Sequence, residues 1–307
     1  MNKINRRTLI QGMLGLSAAA AASGLAVRAQ SLNRQTLSKL KQLPDTDKMP
    51  VLFLGHGSPM YAIIDTEFGR NIHALAGKIP TPSAILCISA HWETRGTWLT
   101  AMAKPKTIHD FGGFPQELFD VQYPAPGSPA LVEAVQKAVH GTQVQADRDE
   151  WGLDHGTWSV LRRLYPEADI PVVQLSLDHF LSPQSHYDLA KELAVLRRKG
   201  VLIVGSGNVV HNLAMTDNTR GETEIFGYDW ALETDHLIQT AIKRGDHRYL
   251  INFRENGKGF DLAVPTPEHY LPMLYALAAQ EPSDSVLLFN DKPVEGSLMM
   301  TSLALGL

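Results

Sequence analysis

The stretch Val51-Leu-Phe-Leu-Gly-His-Gly-Ser-Pro59 joins a continuous apolar run to a histidine that two glycines flank. A short apolar run without alternating polar positions is typical of a strand that a sheet buries on both faces. The same pattern predicts further strands over 84–89, 171–177, 201–204 and 286–289. Amphipathic stretches between them predict helices at roughly 66–78, 128–140, 157–165, 182–199, 228–244 and 267–280. The alternation predicts an α/β fold, a three-layer sandwich with a mostly parallel or mixed central sheet.

Four histidines lie at the ends of these predicted elements. His56 and His91 follow the first two strands, His211 follows the strand over 201–204, and His269 lies at the start of the last helix. Open α/β sheets bind ligands at the carboxyl ends of their strands, and imidazole is the commonest metal ligand among side chains. We therefore predict a metal site, held by these four histidines, at the carboxyl edge of the sheet.

The remaining histidines divide into three groups. His155 lies in a turn before a helix, where it suits either a capping region or acid/base chemistry. His109 lies in the Pro-, Gly- and aromatic-rich segment 104–127, which is typical of a loop that covers an active site, and its role is open. The others are expected on helix surfaces or in polar loops, mostly solvated: His73, His140, His179, His186, His236 and His247.

Composition and motif spacing exclude several classes of protein. The chain has 307 residues with 28 basic and 32 acidic side chains, so its charge of -4 gives no sign of a nucleic-acid partner. Cys87 is the single cysteine, which rules out an internal disulfide and a thiolate zinc site, and its apolar surroundings predict a buried strand residue. The sequence lacks His-Glu-x-x-His, Gly55–Pro59 lacks the second glycine of a serine-hydrolase elbow, and Gly205–Asn208 lacks the lysine of a phosphate loop.

The amino-terminal residues predict export. Asn5-Arg-Arg-Thr-Leu-Ile10 precedes an alanine-rich stretch, and Val27-Arg-Ala29 ends it as a small-residue cleavage site. Residues 1–29 therefore have the pattern of a twin-arginine signal, too short and too rich in small residues for a stable membrane span. We expect a periplasmic protein that reaches its compartment through the twin-arginine export machinery, with a linker at 30–48 and a single domain at 49–307.

The order of the histidine motifs is more specific than any one of them. The motifs are Gly55-His-Gly-Ser-Pro59, Ser89-Ala-His-Trp92, Asp154-His-Gly-Thr-Trp158, Gly205-Ser-Gly-Asn-Val-Val-His-Asn212 and Thr266-Pro-Glu-His-Tyr270. In this order they resemble the class III extradiol ring-cleavage dioxygenases, in the branch of the 4,5-DOPA dioxygenases. The resemblance covers residues 50–307, essentially the whole predicted mature chain.

The resemblance implies a non-haem metal-dependent extradiol dioxygenase that opens the ring of a DOPA-like catechol with O2. It implies one Zn²⁺ or Fe²⁺ per chain, with iron expected for oxygenation. His56, His91, His211 and His269 match the family's metal-site histidines, and His155 matches its acid/base histidine. Two assignments stay open: Glu268 beside His269 is an alternative ligand, and His211 serves either the metal or the substrate.

Two other functions use the same residues. A zinc-dependent hydrolase on the same scaffold would activate a metal-bound water, and a non-catalytic periplasmic metal-binding protein would leave His155 without a purpose. Four aromatic side chains or segments are expected as walls for a flat substrate, although core packing explains each equally well: Trp92, Trp158, Tyr270 and the 111–114 loop.

Overall fold

The computed structural model describes residues 43–221 and 223–307. The predicted export signal at 1–29 and the predicted linker up to residue 42 lie outside the described residues. Within the described part, the strands are β1 (Val51–Gly55), β2 (Ala84–Thr94), β3 (Thr97–Thr100), β4 (Val144–Asp147), β5 (Val172–Asp178), β6 (Val201–Gly207), β7 (Val286–Phe289), β8 (Pro293–Val294), β9 (Leu298–Met299) and β10 (Ser302–Leu305).

The helices occupy the stretches between strands, as the alternating sequence pattern predicts. They are α1 (Glu67–Ala76), α2 (Gln116–Phe119), α3 (Pro129–Ala138), α4 (His155–Leu164), α5 (Pro183–Leu193), α6 (Asp229–Arg244), α7 (His247–Ile251), α8 (Lys258–Ala263) and α9 (Leu271–Ala278). Short 3-10 turns lie at Pro59–Ala62, Ala194–Lys199, Leu213–Met215, Asn218–Arg220 and Phe253–Glu255. Side-chain caps start several helices; Ser128 and Ser182 each accept a backbone N–H bond ahead of a first-turn proline.

Eight strands form one mixed sheet in the order β4-β3-β5-β2-β6-β1-β10-β7. The four central strands, β5, β2, β6 and β1, are parallel, whereas β10 runs antiparallel to both β1 and β7. Helices α1 and α4 pack on one face, and α5 and α9 pack on the other. The predicted α/β sandwich with a mixed central sheet is therefore confirmed. Because the central strands are parallel, their carboxyl ends meet at one edge.

Several element boundaries differ from the sequence prediction. Strand β2 continues past Ser89 to Thr94, with an irregular register against β5 between Ile88 and Glu93. Helix α9 begins at Leu271, so the prediction that His269 starts a helix from 267 is wrong. A turn precedes the helix, in which the Pro267 carbonyl accepts the N–H groups of Tyr270 at 3.0 Å and Leu271 at 2.9 Å. The His269 carbonyl accepts the Asn208 N–H at 2.9 Å, which ties this segment to the end of β6.

Two predictions about buried side chains have opposite outcomes. Cys87 is fully buried in β2, as predicted. His186 was expected to be solvated, but this prediction is wrong because α9 covers it and the Tyr275 hydroxyl lies 2.8 Å from its Nδ1. No helix among the described residues combines the length and apolar character needed to span a membrane.

Candidate metal centre

The fold brings the four predicted metal-site histidines and His155 to one cavity of about 490 Å³ at the carboxyl edge of the sheet. The Nε2 atoms of His56 and His91 are 3.3 Å apart. The ring of His269 lies 5.2 Å from that of His56 between centroids, and the ring of His155 lies 3.8 Å from that of His91. Side chains separated by more than two hundred residues thus share one wall of a cavity.

Strand β6 organises this edge because it lies between β1 and β2. His56 leaves the end of β1, and its N–H donates to the Gly207 carbonyl of β6 at 3.1 Å. The backbone of His269 and Pro272 packs directly on β6, where a Cβ at Gly207 or Gly205 would overlap a carbonyl oxygen. The two glycines of β6 therefore permit the close approach that carries His269 to the other histidines.

His56 is oriented by a hydroxyl of β6. The Ser206 hydroxyl donates to the Gly156 carbonyl at 2.5 Å, and His56 Nδ1 lies 3.0 Å from Ser206 Oγ. Since the hydroxyl proton is committed to Gly156, Nδ1 of His56 is the donor and Nε2 keeps its lone pair. That lone pair faces the cavity, which is the arrangement that a metal-binding imidazole needs.

His269 is oriented by its neighbour in the sequence. Its Nδ1 lies 3.0 Å from Glu268 Oε1, which also accepts the Thr266 hydroxyl at 2.8 Å. His269 lines the cavity, whereas Glu268 is not among the lining residues and contacts the ring through Nδ1. This geometry supports His269 over Glu268 as the ligand.

Asp110 connects the covering loop to two histidines. Its Oδ2 lies 2.9 Å from His155 Nδ1 and 3.6 Å from His91 Nδ1, and its Oδ1 accepts the His155 backbone N–H at 2.9 Å. Burial acts to raise the pKa of Asp110, but its bonds to His155 outweigh that effect and lower it. An ionised Asp110 therefore fixes His155 at the start of α4, where the Asp154 side chain caps the helix.

Four of the cavity histidines have lowered pKa values, which favour the neutral imidazole. Burial, followed by the charges of neighbouring histidines, holds the pKa of His56 and of His269 well below the ordinary 6.5. Burial lowers the pKa of His91 to about 3 and that of His211 to about 4. A neutral imidazole is the form that coordinates a metal, so the donor set fits a nitrogen-ligated divalent ion without further deprotonation.

Ligand atoms fall into two close groups within this cluster. One consists of His56, His91 and His155, and the other of His211, Glu268 and His269, each with its atoms within 4.8 Å of one another. The rings of His211 and His269 stack at 3.4 Å. This grouping differs from the predicted ligand set, because His155, the predicted acid/base residue, lies with the predicted ligands His56 and His91.

The cavity walls are partly those expected. Phe111 and Phe114 of the covering loop line the cavity, and Leu213 lines it as well. Trp158 and Tyr270 instead lie in the buried core. Trp92 stacks on Trp151 beside a separate surface groove, and His109 bonds to the Val121 carbonyl at 3.0 Å.

Sequence reasoning missed Asp110, Ser206 and Glu295 as residues of this site. Asp110 follows His109 in the covering loop, and Ser206 lies between the two glycines of β6, so both belonged to stretches that the sequence had marked. Glu295 lines the cavity from the turn between β8 and β9, where no pattern in the sequence indicates a site.

Residues 50–293 match the family described as the catalytic LigB subunit of aromatic ring-opening dioxygenase. The chain belongs to this family. Dioxygenases of this family are metal-dependent, and the clustered histidines of the described residues are a group that could hold the metal.

Sequence comparison also finds similar proteins that carry names. The chain is 44% identical over 262 residues to an Escherichia coli protein named 4,5-DOPA dioxygenase extradiol, covering 84% of this chain and 95% of that one. It is 38% identical over 245 residues to the Beta vulgaris protein of the same name, covering 78% and 90% of the two chains. A solved structure of an uncharacterized Escherichia coli K12 protein superposes with a TM-score of 0.71 at 38% identity, covering 84% of this chain and 99% of that one.

Proposed function

We propose that this protein is an extradiol dioxygenase that opens the ring of a DOPA-like catechol next to its hydroxyls, using O2 and one non-haem metal ion. The observation that carries the proposal is the cavity at the carboxyl edge of the sheet, which five histidines line and where the Nε2 atoms of His56 and His91 lie 3.3 Å apart. The names of the relatives support the substrate class. Iron is the expected metal of the active form, because zinc has no redox chemistry.

In this proposal His56, His91, His211 and His269 hold the metal. Ser206 and Glu268 fix two of these rings through their Nδ1 atoms. The metal supplies a Lewis acid that lowers the pKa of the catechol hydroxyls and positions both substrates.

His155 is proposed as the acid/base residue. Asp110 lies on its Nδ1, which leaves Nε2 available to accept a catechol proton and return one to the opening ring. The apolar side chains Phe111 and Phe114 form a wall suited to a flat aromatic ring and exclude water from it.

Export is a separate proposal that the amino-terminal residues support. The twin arginines Arg6 and Arg7 ahead of an alanine-rich stretch favour a periplasmic enzyme that is translocated in the folded state. Fractionation of cells that express the full chain, compared with an Arg6→Lys and Arg7→Lys double variant, tests it. Retention of the double variant in the cytoplasm is the expected result, and unchanged fractionation of both would contradict export by this route.

The activity is tested by anaerobic reconstitution with Fe²⁺, followed by O2 in an oxygen electrode with a series of catechols. We expect oxygen uptake that matches the formation of a yellow semialdehyde. Absence of oxygen uptake with every catechol in the series would contradict the proposal. Ester or amide turnover that does not depend on O2 would instead select the zinc-hydrolase alternative.

A further inference from the structure

His91 lies where strand β2 leaves the regular pairing of the sheet. The register of β2 against β5 is interrupted between Ile88 and Glu93, and its pairing with β6 ends at Ser89. His91 is therefore outside both pairings, in a bulge of the kind that aims a side chain into a functional site. The His91 N–H donates instead to Ser89 Oγ at 3.2 Å, so a side chain holds the bulge.

Ser89 is connected in turn to Asp154, which is fully buried. The Ser89 side chain is a hydrogen-bond partner of the Asp154 carboxylate. Gln174 of β5 holds Asp154 at two points, because its amide N–H donates to Oδ2 and its Oε1 accepts the Asp154 backbone N–H at 3.2 Å. Asp154 is thus anchored to a central strand, and through Ser89 it connects that strand to the bulge that carries His91.

The same carboxylate fixes the start of the helix that carries His155. Asp154 Oδ1 accepts the Thr157 N–H at 3.0 Å and so caps α4. The first turn of α4 lies directly against the bulge, where a Cβ at Gly156 would overlap Ser89 Oγ. The helix start and the bulge are therefore in contact, and one side chain bonds to both.

We propose that Asp154 is a positioning residue that holds His91 and His155 in a fixed relation, so that metal binding and proton transfer depend on the same buried carboxylate. The two rings lie 3.8 Å apart between centroids, so a shift of the bulge or of the helix start changes how they face the cavity. The part of the inference that concerns His155 rests on the proposed ring-opening function, whereas the part that concerns His91 requires only that His91 binds the metal.

Two variants separate these two connections. Ser89→Ala removes the hydroxyl between Asp154 and His91 and leaves the cap of α4 in place. Asp154→Asn keeps the size of the side chain and an oxygen for the Thr157 N–H, because asparagine caps helices as well as aspartate does. It replaces the other oxygen by a donor, which cannot accept the Gln174 amide N–H.

Metal binding is measured without turnover. The Zn²⁺ affinity of the metal-free full chain is obtained by competition with a chromophoric chelator, and the visible spectrum of the Co²⁺-loaded chain reports the ligand geometry. We expect Ser89→Ala to weaken Zn²⁺ binding about tenfold and Asp154→Asn to weaken it about 10- to 100-fold, each with an altered Co²⁺ spectrum.

Turnover is measured separately with DOPA and O2 at saturating Fe²⁺. Asp154→Asn should lower kcat by at least about tenfold, because a displaced acid/base residue transfers its proton from the wrong position. Its KM should change by less than about twofold, since His155 acts in the chemical step and not in substrate binding.

Matched controls remove similar bonds elsewhere in the fold. Ser176→Ala deletes a buried strand hydroxyl that accepts the Trp98 N–H at 2.8 Å. Asp246→Asn alters the cap of α7, where the carboxylate accepts the Tyr249 N–H at 3.1 Å. Neither residue lines the cavity, so both variants should keep the wild-type Zn²⁺ affinity, Co²⁺ spectrum and kcat.

The two connections can fail independently. Unchanged Zn²⁺ affinity in Ser89→Ala would overturn the connection to His91, and it decides the matter if Asp154→Asn does not fold. Unchanged kcat in Asp154→Asn would overturn the connection to His155. Lower stability towards urea, with wild-type Zn²⁺ affinity and kcat per bound iron, would leave Asp154 a purely structural cap. Weaker Zn²⁺ binding in both variants, together with a wild-type chain that consumes no O2 with any catechol, would contradict ring opening while the positioning of His91 stands.

Discussion

His56 and His186 are both almost fully buried, yet only one of them belongs to a site. His56 has Ser206 on Nδ1 and an open cavity at Nε2. His186 has the Tyr275 hydroxyl on Nδ1 and the Asp178 backbone as a further partner, and it lines no cavity described here. Burial lowers the pKa of both. A shifted pKa therefore marks burial. A candidate ligand is marked by an imidazole that has one nitrogen hydrogen-bonded and the other facing a cavity shared with further imidazoles.

Replacing a cavity histidine should have the largest effect. His91→Ala removes the imidazole whose Nε2 lies 3.3 Å from that of His56, so we expect loss of bound metal and a fall in turnover of at least about a thousandfold. Elemental analysis and oxygen uptake measure the two effects. His236→Ala, an exposed histidine on α6, is the control and should keep both. Metal retained by the His91 variant would remove it from the ligand set.

His155→Gln tests whether His155 is the acid/base residue or a metal ligand. If His155 is the acid/base residue, the variant should retain metal while its kcat falls by about a hundred- to ten-thousandfold. The metal Kd and the turnover of the variant are measured on the same preparation. Loss of metal would instead assign the ligand set to His56, His91 and His155, which is the group that their interatomic distances define.

Glu268→Gln tests the carboxylate behind a proposed ligand. It keeps a hydrogen-bond acceptor for His269 Nδ1 but removes the charge, and loss of a carboxylate that orients a metal-binding histidine typically weakens metal binding about 10- to 100-fold. Competition with a chelator measures the change. Glu255→Gln on an exposed turn gives the control. A complete loss of metal, as large as in the His91 variant, would point to Glu268 as a direct ligand.

Local pattern in the sequence predicted the sheet and the edge that carries the histidines. Apolar runs that end at Gly55 and in β6 are strong signals, because buried parallel strands tolerate few polar residues. The short strands β3 and β8 have no such signal, since a two- to four-residue strand is defined by its partner and not by its own pattern. The segment before α9 makes a long-range contact that local pattern does not reveal, since the Asn208 N–H donates to the His269 carbonyl.

The site residues that the sequence did not predict are those that join the site only through contacts between distant parts of the chain. Asp110 reaches His155 across 45 residues of sequence, and Ser206 reaches His56 across 150. His186 was misassigned for the same reason, because the sequence around it is polar and the Tyr275 helix that covers it lies 89 residues away. The histidines themselves were found because each lies at an element end, where local pattern is informative.

His186→Ala sharpens the contrast between a structural and a functional histidine. The variant leaves the buried Tyr275 hydroxyl without its partner, which should lower the free energy of unfolding by about 1–3 kcal/mol. Metal content should stay at the wild-type level, in contrast to His91→Ala. Urea unfolding and elemental analysis give the two readings. Loss of metal without loss of stability would reverse the assignment of His186.

The buried His186 should also make the stability of the protein depend on pH. Burial lowers the pKa of His186 from 6.5 to about 4, so between these pH values the unfolded chain binds a proton here that the folded chain does not. The free energy of unfolding must therefore fall as the pH drops through this window, with a slope from this residue of up to about 1.4 kcal/mol per pH unit. In His186→Gln that part of the slope is absent, while every other histidine contributes as before. Urea titrations of both proteins at equal metal loading from pH 7 to pH 4 should give curves that converge on acidification, and parallel curves would mean that His186 titrates alike in the folded and unfolded chains.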